Sequence, residues 1–377
     1  MKGKQGLVCM GLLLVLSSCH TGKQITASGL QRKDFQTEVN GQHADLFTLS
    51  NKQGMEVCIT NYGARVVSIL VPDRNGKRED VVCGFSTITE YMEQRQNFGS
   101  TVGRYIGRIL NARFTLDGVE YKLVPNNGKS GHISHGGNPG FADRIWKVEQ
   151  ADTHRVRLSY LSPDGENGFP GNLKVTLVYS LGEDDNALDL TYEATTDAPT
   201  VLNLSHHSFF NISGNFTKSV EDQQLWVDAD RFTPYDDKKC VTGEYLQVAG
   251  TPLDFRMPHA IGECIDADHP QLKVVNGYDH TWELNTKGDD TRPAAWVYDP
   301  VSGRKMEIFT TEPGMQIYTG NGLKGKMTGK GGIAYPFRSA VCFETMHFQD
   351  SPNQPGFPST VLRPGEVFRS HTVYKFE

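Results

Sequence analysis

The sequence predicts an all-β protein, a large antiparallel β-sandwich with few short helices. Three observations carry this. Apolar residues recur with period two, tight-turn dipeptides recur between those runs, and long runs of 3.6-residue periodicity are lacking. The alternating runs are Met55, Val57 and Ile59; Val156, Leu158 and Tyr160; Val175, Leu177, Tyr179 and Leu181; and Leu188, Leu190, Tyr192 and Ala194. Each reads as a strand with one buried face. Asn75-Gly76 separates Val71 from Val81-Val82, and Asp117-Gly118 separates Phe114-Thr115-Leu116 from Val119-Glu120-Tyr121, a strong hairpin signal. The 39 glycines and 18 prolines fit a turn-rich chain. The best helix candidate is a short one near Thr89–Gln94.

At 377 residues and 37% hydrophobic, the chain is long enough for a sizeable core. No composition break or internal repeat divides it, so residues 35–377 read as a single β-sandwich domain, a size that all-β domains reach. The formal net charge of −6 argues against nucleic acid as a partner, because phosphate binding needs a basic face.

The N-terminus predicts export. Lys2 and Lys4 precede an apolar run, Leu7–Leu16, that is too short to span a bilayer, which takes ~20 residues. Residues 1–18 read as a signal peptide. Leu16-Ser17-Ser18-Cys19 resembles the bacterial lipobox, which implies lipidation of Cys19 and a flexible tether over residues 19–34. The expected location is the bacterial cell envelope, lipid-anchored and facing the periplasm, with the membrane met only through that anchor. Beyond Cys19 there are five cysteines, with no C-x-x-C spacing and mostly apolar neighbours, as in Val57-Cys58-Ile59. Free buried thiols are expected, and no required disulfide.

Several motifs fail on inspection. Gly320 to Met327 nearly fits the phosphate loop G-x-x-x-x-G-K-S/T, but Met327 stands where a hydroxyl is needed. His132/His135, His206/His207 and Glu344/His347 form no closed ligand set, so neither a metal nor any other cofactor is expected.

Polar residues in aromatic, glycine-rich surroundings remain: Arg104/Arg108, His135, His206/His207, Asp279/His280, Gln316 and Glu344. Sugars suit such places, since their hydroxyls take carboxylates, amides and guanidinium groups and their C–H faces take rings. Trp146, Phe209, Phe210, Tyr278, Trp282 and Tyr318 are the candidate rings.

These residues fall within ordered blocks: Asn61-Tyr62-Gly63-Ala64, Gly103-Arg104-Tyr105-Ile106-Gly107-Arg108-Ile109, His135-Gly136-Gly137, Glu166 to Gly171, Asn203 to Asn211, Thr251 to Phe255, Gly277-Tyr278-Asp279-His280, Thr310 to Gln316, and Phe343 to Phe348. From about residue 44 onward, their order resembles the aldose 1-epimerases (galactose mutarotases). The resemblance implies interconversion of the α and β anomers of free hexoses such as glucose and galactose. It places Glu344 as base, His207 as acid, and Arg108, His135, Asp279 and Gln316 as sugar-binding groups. His206 stands where the family more often has Asn, and the block alignment favours His207. Further departures are Gly107 for Asn, Ser134 for Leu, Phe209 for Tyr, and Met346 for Gln. Gly107 and Met346 remove polar groups, so sugar preference is open.

Other readings compete. Asp279 and Glu344 could serve a glycoside hydrolase, which needs a carboxyl pair ~5–10 Å apart. A sugar-binding or sensing protein without turnover would not need the Glu344–His207 pair. A hexose-6-phosphate epimerase would want a basic cluster, and none is evident. Oligomeric state is not legible.

Overall fold

A computed structural model describes residues 24–377. Its largest sheet has nine antiparallel strands in the order Lys147–Ala151, Arg155–Ser162, Leu173–Leu181, Ala187–Thr196, Phe368–Phe376, Lys305–Thr310, Ala295–Tyr298, Gln224–Val227 and His259–Ala260. A six-stranded sheet runs Phe209–Phe210, Val341–Met346, Gly314–Tyr318, Asp279–Glu283, Arg231–Thr233 and Leu246–Gln247. A four-stranded sheet follows chain order from Leu46–Ser50 through Glu56–Thr60 and Arg65–Pro72 to Arg78–Asp80. The fold is the predicted all-β one.

The alternation does what period two requires. Along Leu173–Leu181 the odd-numbered residues are buried, while the even-numbered ones are exposed or half-buried. Val175, Leu177, Leu188 and Leu190 share one core with Val57, Ile59 and Val66 of the four-stranded sheet, and with Trp282, Met315, Ile317 and Phe343 of the six-stranded one. Each such side chain contributes about 1.5–3 kcal/mol by leaving water. Polar ties cross the same gap: Tyr374 OH donates to the Phe343 carbonyl at 3.0 Å, and the Thr345 and Thr372 hydroxyls lie 2.6 Å apart.

One strand departs from expectation. Glu56–Thr60 is buried on both faces, although alternation predicts one. The cause is the segment before it. Leu30 and Phe35 pack with Cys58, and the Ala27 and Ser28 N–H groups donate to Glu56 Oε1 at 2.7 and 3.2 Å. Residues 24–34 are therefore packed chain, which corrects that part of the expected tether. Cys19 and the apolar run lie outside the described residues.

The turns and the helix follow their local chemistry. Asp117 and Gly118 both take positive φ (53° and 79°), as a two-residue hairpin of the primed type demands, and Leu116 pairs with Val119. The helix covers Ile88–Gln94, capped by Thr87 and Glu90 in a reciprocal box: Glu90 N donates to Thr87 Oγ1 at 3.2 Å, and Thr87 N to Glu90 Oε2 at 2.9 Å. A second helix, Pro270–Val275, is too short to show periodicity in sequence. Gly320–Met327 is followed by a 3-10 turn at Lys330–Gly332 and not by the α-helix a phosphate loop needs.

Candidate active site

His207 comes from the short strand Ser205–His207, which pairs with Ser100–Val102. Strand alternation sends adjacent histidines to opposite sides. His206 turns into the core, its ring against Tyr179 and Tyr374 and its Nε2 2.7 Å from Ser208 Oγ. His207 turns the other way and stacks on Phe209, with centroids 5.0 Å apart and planes at 14°. Its Nε2 lies 3.3 Å from Glu344 Oε1. Geometry thus separates two residues that sequence left ambiguous.

Glu344 sits mid-strand in Val341–Met346. Phe343 points into the main core, leaving Glu344 on the opposite face. Gln316 is its register partner on the neighbouring strand, and Thr281 is the partner of Gln316 on the next. Gln316 Nε2 donates to Asp279 Oδ1 at 2.6 Å, while Gln316 Oε1 accepts from Thr281 Oγ1 at 2.5 Å. The amide therefore aims the carboxylate.

Arg108 and His135 come from a two-stranded element in which Arg108 pairs with Ser134. His135 follows that strand at φ 52°, and its N–H donates to the Gly107 carbonyl at 2.9 Å. Its ring meets the His207 ring edge-on at 5.5 Å. The Arg108 guanidinium makes no hydrogen bond or ion pair among the described residues and is half-buried. All six residues selected from sequence line one cleft of about 230 Å³.

Burial dominates the electrostatics. It raises the Glu344 carboxyl well above its ordinary pKa, and Asp279 adds to the effect. It lowers the His207 imidazole well below its ordinary value, with His135 contributing. His135 is pushed down to about 4 by burial and then by the Arg108 cation. Asp279 is raised by burial, against the pull of Arg108 and the Gln316 hydrogen bond. A buried carboxyl–imidazole pair in contact titrates as a unit, and one shared proton leaves it with no net charge. Cys342, one residue pair along the same strand face, brings its sulfur within 4.8 Å of the His207 and Glu344 ligand atoms. Burial raises its thiol pKa well above normal, so it is a neutral thiol.

Other candidates belong elsewhere. Arg104 is structural: its guanidinium donates to the Pro170 and Gly171 carbonyls at 2.7 and 3.0 Å and to Ser162 Oγ at 2.6 Å. His347 pairs with Glu312 at 2.7 Å, and His132 Nδ1 accepts from Asn111 N at 2.9 Å. Trp146, Phe210, Tyr278 and Trp282 are core residues, and only Phe209 and Tyr318 of the candidate rings line the cleft. Sequence reasoning missed Gln96, Asn97 and Gln349 in that lining. Gln349 stands five positions after Glu344, where no strand period marks it.

Residues 45–375 match the family model for aldose 1-epimerase. The galactose mutarotase of Bos taurus is 40% identical over 331 residues, covering 88% of this chain and 93% of that protein. The aldose 1-epimerase of Escherichia coli (strain K12) is 36% identical over 339 residues, covering 89% and 96%. Among solved structures, the GalM/aldose epimerase homologue from C. elegans superposes with a TM-score of 0.81 at 31% identity, covering 89% of this chain and 99% of that one. Galactose 1-epimerase from Lactobacillus acidophilus NCFM gives 0.78 at 28%, covering 91% and 97%. With its antiparallel fold, its polar cleft and this match over most of its length, the chain belongs to the aldose 1-epimerase family.

Proposed function

We propose that this isomerase interconverts the α and β anomers of free aldohexoses such as glucose and galactose, with Glu344 and His207 moving the protons. The observation that carries the reading is the 3.3 Å approach of His207 Nε2 to Glu344 Oε1 in a buried, polar-lined cleft. The Glu344 carboxylate takes the proton of the C1 hydroxyl as the His207 imidazolium gives one to the ring oxygen. The bond between C1 and the ring oxygen breaks, leaving an aldehyde. Rotation about C1–C2 presents the other carbonyl face, and the reverse transfers close the ring. The pair holds one proton throughout: burial favours it on glutamate in the empty cleft, and turnover needs it on histidine before opening and on glutamate after it. Both protons return within a cycle, so the pair never takes net charge in a site where charge is costly.

Asp279, aimed by Gln316, accepts from sugar hydroxyls, and Arg108 and His135 donate to them. Freshly dissolved α-D-glucose and α-D-galactose should lose optical rotation faster with the protein than in buffer alone. Aryl glycosides should release no aglycone. Release dependent on Asp279 and Glu344 would favour hydrolysis instead.

We further propose export and lipid attachment at Cys19, on the strength of Leu16-Ser17-Ser18-Cys19. Cys19→Ala should move the protein from the membrane fraction to the soluble one. An unchanged distribution would argue against the anchor.

A further inference from the structure

Gly107 lies at the cleft with φ +76°, a conformation that asparagine and aspartate tolerate best after glycine. A Cβ placed on it would stand 2.6 Å from Gln349 Cγ and 3.1 Å from Gln349 Cδ. The volume that a side chain at position 107 needs is thus already filled by Gln349. Gln349 is only 4% exposed, and it lines the same cleft as the Glu344–His207 pair.

Its carboxamide is wired to the sugar-binding groups. Nε2 donates to Tyr235 OH at 2.6 Å and to Gln316 Oε1 at 3.3 Å, while Oε1 accepts from the Arg108 N–H at 3.3 Å. An amide oxygen has two lone pairs, and the Arg108 N–H, at long range, is the single donor to this one among the described residues. Met346, which also lines the cleft, offers no hydrogen bond of comparable strength.

We infer that Gln349 is a sugar-contacting residue that sets preference among aldoses, and that Gly107 is the vacancy that admits it. Gly107 and Met346 carry no amide at the two positions where the family resemblance implies one, and Gln349 brings an amide to the cleft from a different backbone position. Its oxygen accepts from a ring hydroxyl, and the hydroxyl it meets differs in place from one that a side chain at 107 would meet. The inference rests on the mutarotase reading and adds the residue that tunes it.

The test measures kcat/KM for mutarotation of D-glucose, D-galactose, D-mannose and D-xylose. These differ from glucose at C4, at C2, and in the C6 hydroxymethyl group. The proteins are wild type, Gln349→Ala, Gly107→Asn, and the double variant. Ratios between sugars do not depend on how much of a variant is folded. Gln349→Ala should change at least one ratio by roughly tenfold, the size of one neutral hydrogen bond. Gly107→Asn alone should lose activity on every sugar, and adding Gln349→Ala should recover part of it, a non-additivity expected of residues that share one volume. Ratios that stay within about twofold in Gln349→Ala, or additive losses in the double variant, would overturn the inference while leaving the mutarotase reading intact. A wild-type protein inactive on all four sugars would overturn the reading itself.

Discussion

Burial pushes Glu344 and His207 in opposite directions, and the two shifts have one consequence. The doubly protonated pair is positive, the fully deprotonated pair is negative, and both are disfavoured in a site closed to water. The one-proton state therefore persists over a wider pH range than the free side chains allow, from about 4.3 to 6.5. The sign follows directly. Loss of the last proton creates net negative charge, so that step moves up from the ordinary imidazole value. The titratable groups facing the pair are Asp279, which is raised, His135, which is held neutral above about pH 4, and Cys342, whose raised thiol stays neutral. The alkaline limb of kcat/KM for galactose should lie above the ordinary imidazole value of about 6.5. A decline centred on 6.5 would mean that His207 titrates as a solvated imidazole. At this scale the sequence identified the residue types and, through family resemblance, their partners. It did not separate His206 from His207 by chemistry. Strand alternation does so, by placing one ring in the core and the other over Phe209.

Elements with local causes were legible: the capped helix at Ile88–Gln94, the Asp117-Gly118 hairpin and the alternating strands of the large sheet. The elements that hold the site were not. Arg108–Ile109, Ile133–Ser134 and Phe209–Phe210 have two residues each, too few to show a period, and they exist because tertiary packing holds them. Gln349 escaped notice for a related reason, since it lies in the loop after the Glu344 strand. Strand pairing also carries a titratable clamp remote from the cleft. His371, on Phe368–Phe376, has Nε2 2.7 Å from Asp189 Oδ2 on Ala187–Thr196 and Nδ1 2.6 Å from Asp290 Oδ2. These partners raise its pKa to about 9. A folded-state pKa above the unfolded one stabilises fully below the unfolded value, near 6.5, and that stability is lost as pH rises through about 9. His371→Gln should therefore melt below wild type at pH 6, and the gap should shrink at pH 10. An equal gap at both would show that the charge contributes nothing.

Across the whole molecule, the site exists because separate sheets converge. The six-stranded sheet supplies Glu344, Gln316 and Asp279; a two-stranded pairing with Ser100–Val102 supplies His207; another supplies Arg108 beside His135. Residues scattered through the sequence meet in one cleft, and neither spacing nor periodicity encodes that meeting. Only the ordered blocks linked them before the structure did. The packed segment over Glu56 was missed likewise, because residues 24–34 have the composition of a linker and are ordered by what they cover. On the proposed mechanism, Glu344 and His207 act as one proton-sharing unit. A double-mutant cycle tests it most directly, using kcat/KM for α-D-galactose in wild type, Glu344→Gln, His207→Asn and the pair together. General acid and base catalysis typically contribute ~10²–10⁴-fold. Each single variant should lose about that much, and the double variant little more, because removing either group disables the unit. Losses that multiply in the double variant, or a wild-type rate in Glu344→Gln, would mean that the two groups do not share one proton.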